Sequence, residues 1–332
     1  MDEHRALMRR AMHMAGTARM HSRPNPWVGA VLRCTDGSLF EGATQPPGGP
    51  HAEIVALEAA RTAGADTNGA LLVTTLEPCS HTGRTGPCTD AIIAAGIGTV
   101  VSGVADPDPN VAGTGFDRLR ASGIEVIEGV CGDEVAEQLR PYLHHRRTNR
   151  PFVLLKMAVT IDARTSVPGG PRWITGEAAR KRVHVLRAES DAIVTGAGTV
   201  RTDDPELTVR HVEGPSPRRV VLSHGAVDPA ARVNPCIVWN GGLGPLLDEL
   251  GADGVIQVMV EAGPVVADAF RTEDLVDRWV FHMAPTVTGA EGAPGVFAGG
   301  APHPLSLGRL VSVTALGDDI ELVIDPIKET AA

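Results

Sequence analysis

Apolar residues recur at helical spacing over residues 7–18, which predicts a first helix, and the short apolar run 28–32 predicts a strand. After His51 the run Ile54-Val55-Ala56-Leu57-Glu58-Ala59-Ala60 has the pattern of a second helix. Residues 70–76, rich in Thr and Val, read as an apolar strand; 89–95 read as a helix ended by Gly96, and 99–104 as the next strand. This alternation predicts a three-layer α/β domain. Residues 140–150 interrupt it. The stretch Tyr142-Leu143-His144-His145-Arg146-Arg147-Thr148-Asn149-Arg150-Pro151 is basic and closes on proline, so it reads as a solvated helix end and linker rather than a functional basic patch. Alternation then resumes, with strands over 152–159, 192–195, 219–222 and 255–260 and helices over 177–189 and 264–270. The expected organisation is therefore two α/β domains, residues 1–148 and 149–332.

The length of 332 residues fits two domains at about 150 residues each. No apolar run reaches the roughly 18 residues of a membrane span, and Met1-Asp2-Glu3-His4-Arg5 lacks the apolar core of a signal peptide. A cytoplasmic protein with no membrane partner is expected. Thirty basic against 40 acidic residues give a net charge of −10, which argues against sequence-blind binding of nucleic acid. Six Phe, four Trp and one Tyr are too few for a base-stacking platform. The five cysteines, Cys34, Cys79, Cys88, Cys131 and Cys236, are odd in number and scattered, as thiols or metal ligands are, not as a disulfide framework.

Chemistry gathers in the first half. His51-Ala52-Glu53 opens a helix, Pro78-Cys79 closes a strand and Pro87-Cys88 opens another helix. One His and two Cys supply three ligands to a tetrahedral zinc and leave the fourth position to water. Glu53 lies off the His51 side of its helix yet within reach of that water. A zinc deaminase needs this set: an activated water attacks an amidine-like carbon, and a non-ligand Glu moves protons to the departing ammonia. Helix N-termini under His51 and Cys88 favour the negative charges. On the residues alone, a structural zinc (with His81 as fourth ligand) or plain buried cysteines stand as equal alternatives.

The longer string Thr75-Leu76-Glu77-Pro78-Cys79-Ser80-His81-Thr82-Gly83-Arg84-Thr85-Gly86-Pro87-Cys88 closely resembles the deaminase domain of the bifunctional riboflavin-biosynthesis family. In that family a diaminohydroxyphosphoribosylaminopyrimidine deaminase is fused to a 5-amino-6-(5-phosphoribosylamino)uracil reductase. Asn25-Pro26-Trp27-Val28-Gly29-Ala30-Val31 and Asp106-Pro107-Asp108-Pro109-Asn110-Val111-Ala112-Gly113 match at the expected distances, and the resemblance covers essentially the whole chain. It implies a cytidine-deaminase-like domain with Zn2+ on His51, Cys79 and Cys88, Glu53 as proton shuttle, and Asn25, Arg84 and Asp106 on a phosphoribosylated pyrimidine.

In the second half, Leu155-Lys156-Met157-Ala158, Trp173-Ile174-Thr175, residues 191–200, residues 203–210 and Val260-Glu261-Ala262-Gly263-Pro264 are similar to the family's reductase domain, which is dihydrofolate-reductase-like and uses NADPH. The resemblance implies Lys156, Arg187, Leu207, Arg210 and Glu261 near substrate, and Ala158, Trp173, Thr175, Thr199, Asp203 and Gly263 near cofactor. Hydride would go to C1′ of the ring-opened ribose and give a ribityl chain. The turns Gly196-Ala197-Gly198 and Gly263-Pro264 suit a pyrophosphate at a helix N-terminus and are equally ordinary α/β loops; a strand–GxGxxG–helix fingerprint is absent. Assembly as a dimer or tetramer is implied as well.

The chain departs from the family at several points. Thr44 stands where a His is expected, and Asp108 replaces an Asn and would repel a phosphate if it faces one. Ile161-Asp162-Ala163 stands for Leu-Asp-Gly, Pro171 for a Ser, and Ser223-His224 for an Asp-Ser pair. Residues 237–245 bridge a stretch where one further strand is expected. These changes leave open a second enzyme reading, a paralogue retasked to another pyrimidine with an altered or silent reductase. A third reading makes the second half a binding or assembly module without hydride transfer.

Overall fold

Two glycines on neighbouring strands set the layers of the first half. The computed structural model describes residues 2–81, 86–108, 111–167, 169–298 and 308–328, and divides into the units Met1–Asn149 and Arg150–Ala332. The first unit runs α1 (Asp2–Ala18), β1 (Gly29–Arg33), β2 (Leu39–Ala43), α2 (Ala52–Thr62), β3 (Leu71–Leu76), α3 (Cys88–Ala94), β4 (Thr99–Val104), α4 (Thr114–Ala121), β5 (Glu125–Ile127), α5 (Gly132–Gln138) and α6 (Arg140–Thr148). Its sheet has the order β2-β1-β3-β4-β5, antiparallel at β2/β1 and β1/β3 and parallel beyond.

Gly29 pairs with Ala43 and Ala30 with Gly42, so the two glycines face opposite sides of the sheet. A Cβ on Gly29 would lie 1.8 Å from the Ala11 carbonyl of α1, and one on Gly42 would lie 2.1 Å from the Ala52 carbonyl of α2. Each helix rests on bare backbone, one per face, which makes the three layers. β3 is buried at all six positions, as a central strand covered on both faces must be.

The basic stretch at 140–150 differs from the expected solvated helix end. It forms α6, whose Pro141, Tyr142, Leu143 and His145 are buried, and Asn149 in the left-handed region (φ 56°) ends it ahead of Pro151. The charges occupy one face and conceal an inward one.

The second unit runs β6 (Phe152–Thr160), α7 (Glu177–Ala188), β7 (Ala192–Gly196), α8 (Ala197–Asp203), β8 (Arg218–Leu222), β9 (Ile237–Trp239), α9 (Leu243–Ala252), β10 (Gln257–Val260), α10 (Pro264–Thr272), β11 (Arg278–Ala284), β12 (Gly308–Leu316) and β13 (Asp319–Pro326). The sheet order is β12-β13-β11-β6-β10-β7-β8-β9. From β11 to β9 all neighbours are parallel, and β13 and β12 add an antiparallel edge. Along β6, Val153, Leu155 and Met157 pack into one core with α9 and α10, while Leu154 enters the other with Val183 and Leu186 of α7. Helices thus cover both faces, and the carboxyl ends of β7 and β10 lie side by side, where open α/β sheets place ligands. The shortened stretch 237–245 holds β9, three residues long and the sheet edge, followed directly by α9.

Candidate functional site

His51 immediately precedes α2, Glu53 lies in its first turn, Cys79 follows β3 and Cys88 opens α3. The topology therefore brings all four to one end of the sheet. His51 Nδ1 is 3.7 Å from Cys79 Sγ and 3.3 Å from Cys88 Sγ, and the three donor atoms lie within 4.8 Å of one another. Tetrahedral zinc with Zn–S near 2.3 Å and Zn–N near 2.0 Å sets S and N about 3.6 Å apart, so the donor set fits that ion in number, softness and spacing. The Cys88 backbone N–H donates to Cys79 Sγ at 3.4 Å and orients it. A hydrogen bond from the Cys88 thiol, followed by the one from His51, holds the Cys79 thiol at about 4. The same proton, together with burial, pushes Cys88 up. Metal ligation requires the thiolate form of both cysteines. Burial pushes the Glu53 carboxyl up to about 7 against the opposing influence of His51.

His51, Glu53 and Cys79 border a cavity of about 340 Å³, also lined by Asn25, Thr44, Glu77, His81, Asp106, Asp108, Tyr142 and Arg146, with Cys88 buried behind it. Glu77 ties its floor together: the carboxylate accepts the backbone N–H groups of Asp106, Gly113 and Gly115 at 3.2, 3.1 and 2.9 Å. Asp106 accepts the Tyr142 hydroxyl at 2.9 Å and the Asp108 N–H at 2.9 Å. Thr44 is structural as well as lining, since its Oγ1 accepts the Val28 N–H at 3.0 Å. Asp108 does not stand as an unbalanced anion, because Arg146 Nε lies 3.7 Å from its Oδ2. Arg84 lies outside the described residues.

In the second unit a cavity of about 1140 Å³ opens at the carboxyl ends of the parallel strands. Of the residues named from the sequence, Lys156, Ala158, Trp173, Thr175, Arg187, Thr199, Asp203, Arg210, Glu261 and Gly263 line it. Leu207 does not; it is buried in the α7-side core with a left-handed φ of 55°. Arg187 grips Glu261 with two hydrogen bonds, 2.9 Å from Nε and 2.8 Å from Nη2, and its Nη1 donates to the Thr208 carbonyl at 3.1 Å. Burial alone would raise the Glu261 carboxyl, but Arg187 and then Lys156 overcome it and hold the group at about 2. Burial pushes the Lys156 ammonium down, and Glu261 opposes that.

The same cavity is also lined by the Trp173 ring, with Arg172 5.1 Å and Arg180 5.8 Å from its centroid. Arg180 donates to the Thr175 carbonyl and Arg172 to the Asp203 carbonyl, both at 2.7 Å. Gly196 and Gly263 precede α8 and α10 without a side-chain cap. The Gly263 N–H donates to Thr199 Oγ1 at 3.2 Å, and a Cβ on Gly198 would meet open space. Bare helix starts, nearby arginines and a volume beyond one small ligand's need fit a dinucleotide. His184 also lines this cavity; its Nδ1 accepts the Arg210 N–H at 3.0 Å. Burial, then repulsion from Arg187, lowers it to about 4, so it acts as an acceptor at neutral pH. Sequence reasoning overlooked His184, Tyr142 and Arg146, whose only signal was helical spacing within charged runs.

Comparison with known proteins agrees with this geometry. Residues 1–104 match the family model of the cytidine and deoxycytidylate deaminase zinc-binding region, and residues 151–322 match the RibD C-terminal domain. The riboflavin biosynthesis protein RibD of Escherichia coli (strain K12) is 37% identical over 327 residues, covering 86% of this chain and 88% of that protein. That of Corynebacterium ammoniagenes is 42% identical over 293 residues, covering 85% and 86%. Among solved structures, RibD from Acinetobacter baumannii superposes with a TM-score of 0.91 at 34% identity, covering 98% of this chain and 99% of that one. The deaminase/reductase from Thermotoga maritima gives 0.89 at 33% over the same shares. With two matched halves and relatives aligned over most of their length, the chain belongs to the RibD family of bifunctional riboflavin biosynthesis proteins.

Proposed function

We propose that the first domain deaminates 2,5-diamino-6-(5-phosphoribosylamino)pyrimidin-4-one at the His51/Cys79/Cys88 centre, and that the second reduces the ribosyl group of the product to ribityl. One observation carries this reading: three converging soft donors with a buried carboxylate, Glu53, beside them in a cavity of about 340 Å³. His51, Cys79 and Cys88 hold the zinc, which supplies a water nucleophile at neutral pH. Glu53 moves protons between that water and the departing amine; a carboxyl near neutrality suits both directions of transfer. Asn25 and Asp106 orient the pyrimidine, and Glu77 keeps Asp106 in place through the backbone. In the second domain NADPH supplies the hydride for C1′ of the opened sugar. Lys156 and Glu261, fixed by Arg187, bind the sugar; Ala158, Trp173, Thr175, Thr199, Asp203 and Gly263 form the cofactor wall. The protein works in the cytoplasm as a homo-oligomer, dimer or tetramer, which light scattering after gel filtration reads directly.

Incubation of zinc-loaded protein with the diaminopyrimidine, with and without NADPH, tests both steps by product mass. Deamination raises the mass by about one unit and reduction by about two more. Glu53→Gln lowers the first step at least about 100-fold while zinc content, and reduction of supplied deaminated intermediate, stay unchanged. Absence of either mass shift in the wild type overturns the corresponding half.

A further inference from the structure

The cavity of the first unit is lined by four carboxyl side chains, Glu53, Glu77, Asp106 and Asp108. A phosphate dianion entering such a wall needs a cation. Among the described residues lining the cavity, Arg146 is the one arginine or lysine. It belongs to α6, one turn after Tyr142, so both project from the same helix face. Its guanidinium lies 5.1 Å from the Tyr142 ring centroid, which defines the plane it can occupy. Its Nε is 3.7 Å from Asp108 Oδ2, an ion pair but longer than a hydrogen bond. That nitrogen is buried without a hydrogen-bond partner. A guanidinium carries five donors in a planar fork, so pairing with Asp108 through one edge does not exhaust it.

We propose that Arg146 binds the phosphate of the deaminase substrate and sets the preference for a phosphorylated pyrimidine, with Asp108 holding the guanidinium in the cavity until that phosphate arrives. The inference rests on the deaminase reading above. It also accounts for an acid at position 108 in a cavity that must take an anion: Asp108 positions the receptor and is not itself the receptor.

The test compares deamination of the 5′-phosphorylated substrate with that of the same compound lacking its phosphate, on zinc-loaded full chain, by ammonia release. Losing a charge-assisted contact lowers kcat/KM for the phosphorylated compound about 10- to 100-fold in Arg146→Met, mainly through KM. The dephosphorylated compound changes by less than about threefold. Arg146→Lys keeps the charge and recovers part of the loss, which shows that the fold is retained. Asp108→Asn releases the Arg146 guanidinium and raises KM for the phosphorylated compound only; an anchor of purely structural value would raise KM for both. Equal losses on both compounds, or no loss in Arg146→Met because Arg84 alone holds the phosphate, overturn the proposal while leaving the deaminase reading standing. No deamination by the wild type overturns both.

Discussion

Arg187, Glu261 and Lys156 form a charge cluster in the cavity of the second unit, and its behaviour follows from the partners each would lose. Arg187→Met leaves Glu261 and the Thr208 carbonyl without their donors, and breaking such a pair costs about 3 kcal/mol, read as a lower urea midpoint. Glu261 titrates at about 2 in the folded chain against roughly 4.3 unfolded. The unfolded state therefore binds the extra proton between these values, and stability falls as pH drops through that window. Thermal unfolding at pH 5 and pH 3 should show a larger loss for the wild type than for Glu261→Gln; equal losses would mean that the pair is not formed. At this scale the candidate metal donors were legible because three residues of two rare types, His and Cys, fall at the ends of elements. Arg146 and Tyr142 were not, since a run with four arginines between 140 and 150 reads as solvated unless one sees that Tyr142, Leu143 and His145 are buried. Leu207 matches its motif yet turns its side chain into the core, which spacing cannot reveal.

At the scale of elements, α2 carries Glu53 and rests on Gly42 with no room for a methyl group: the added Cβ would sit 2.1 Å from the Ala52 carbonyl and 2.7 Å from the Ala56 nitrogen. Gly42→Ala must push the start of α2 outward by roughly an ångström, since packed interiors absorb little overfilling. Misplacement of that order lowers catalysis about 100-fold. Deamination should fall by that factor while reduction of supplied intermediate is untouched; retained deamination would show that the helix slides without moving its first turn. Long periodic segments such as α1, β3 and β6 were readable because one or both faces are buried. The β12–β13 hairpin was not, since β12 is exposed at most positions and offers no alternation to read. Three-residue β9 is too short for any pattern.

Over the whole molecule each unit has its own sheet and its own buried residues, so ligands that belong to one unit should move that unit's unfolding. Calorimetry of the full chain is expected to show one transition lowered by zinc chelation and another raised by NADPH; a ligand at 100 times its Kd adds about 2.7 kcal/mol. A single transition shifted by both would mean that the units unfold as one. The alternating pattern on either side of residues 140–150 made two α/β units legible, because each element had to bury a face within its own half. The same two cavities set different terms for inhibition. About 340 Å³ admits one compact, phosphate-bearing heterocycle and rewards efficiency per atom. In the second unit, about 1140 Å³ leaves room for the cofactor and sugar phosphate of the proposed function together, so one molecule joining a nicotinamide mimic to an open-chain polyol phosphate would turn two binding events into one and gain the affinity of linkage.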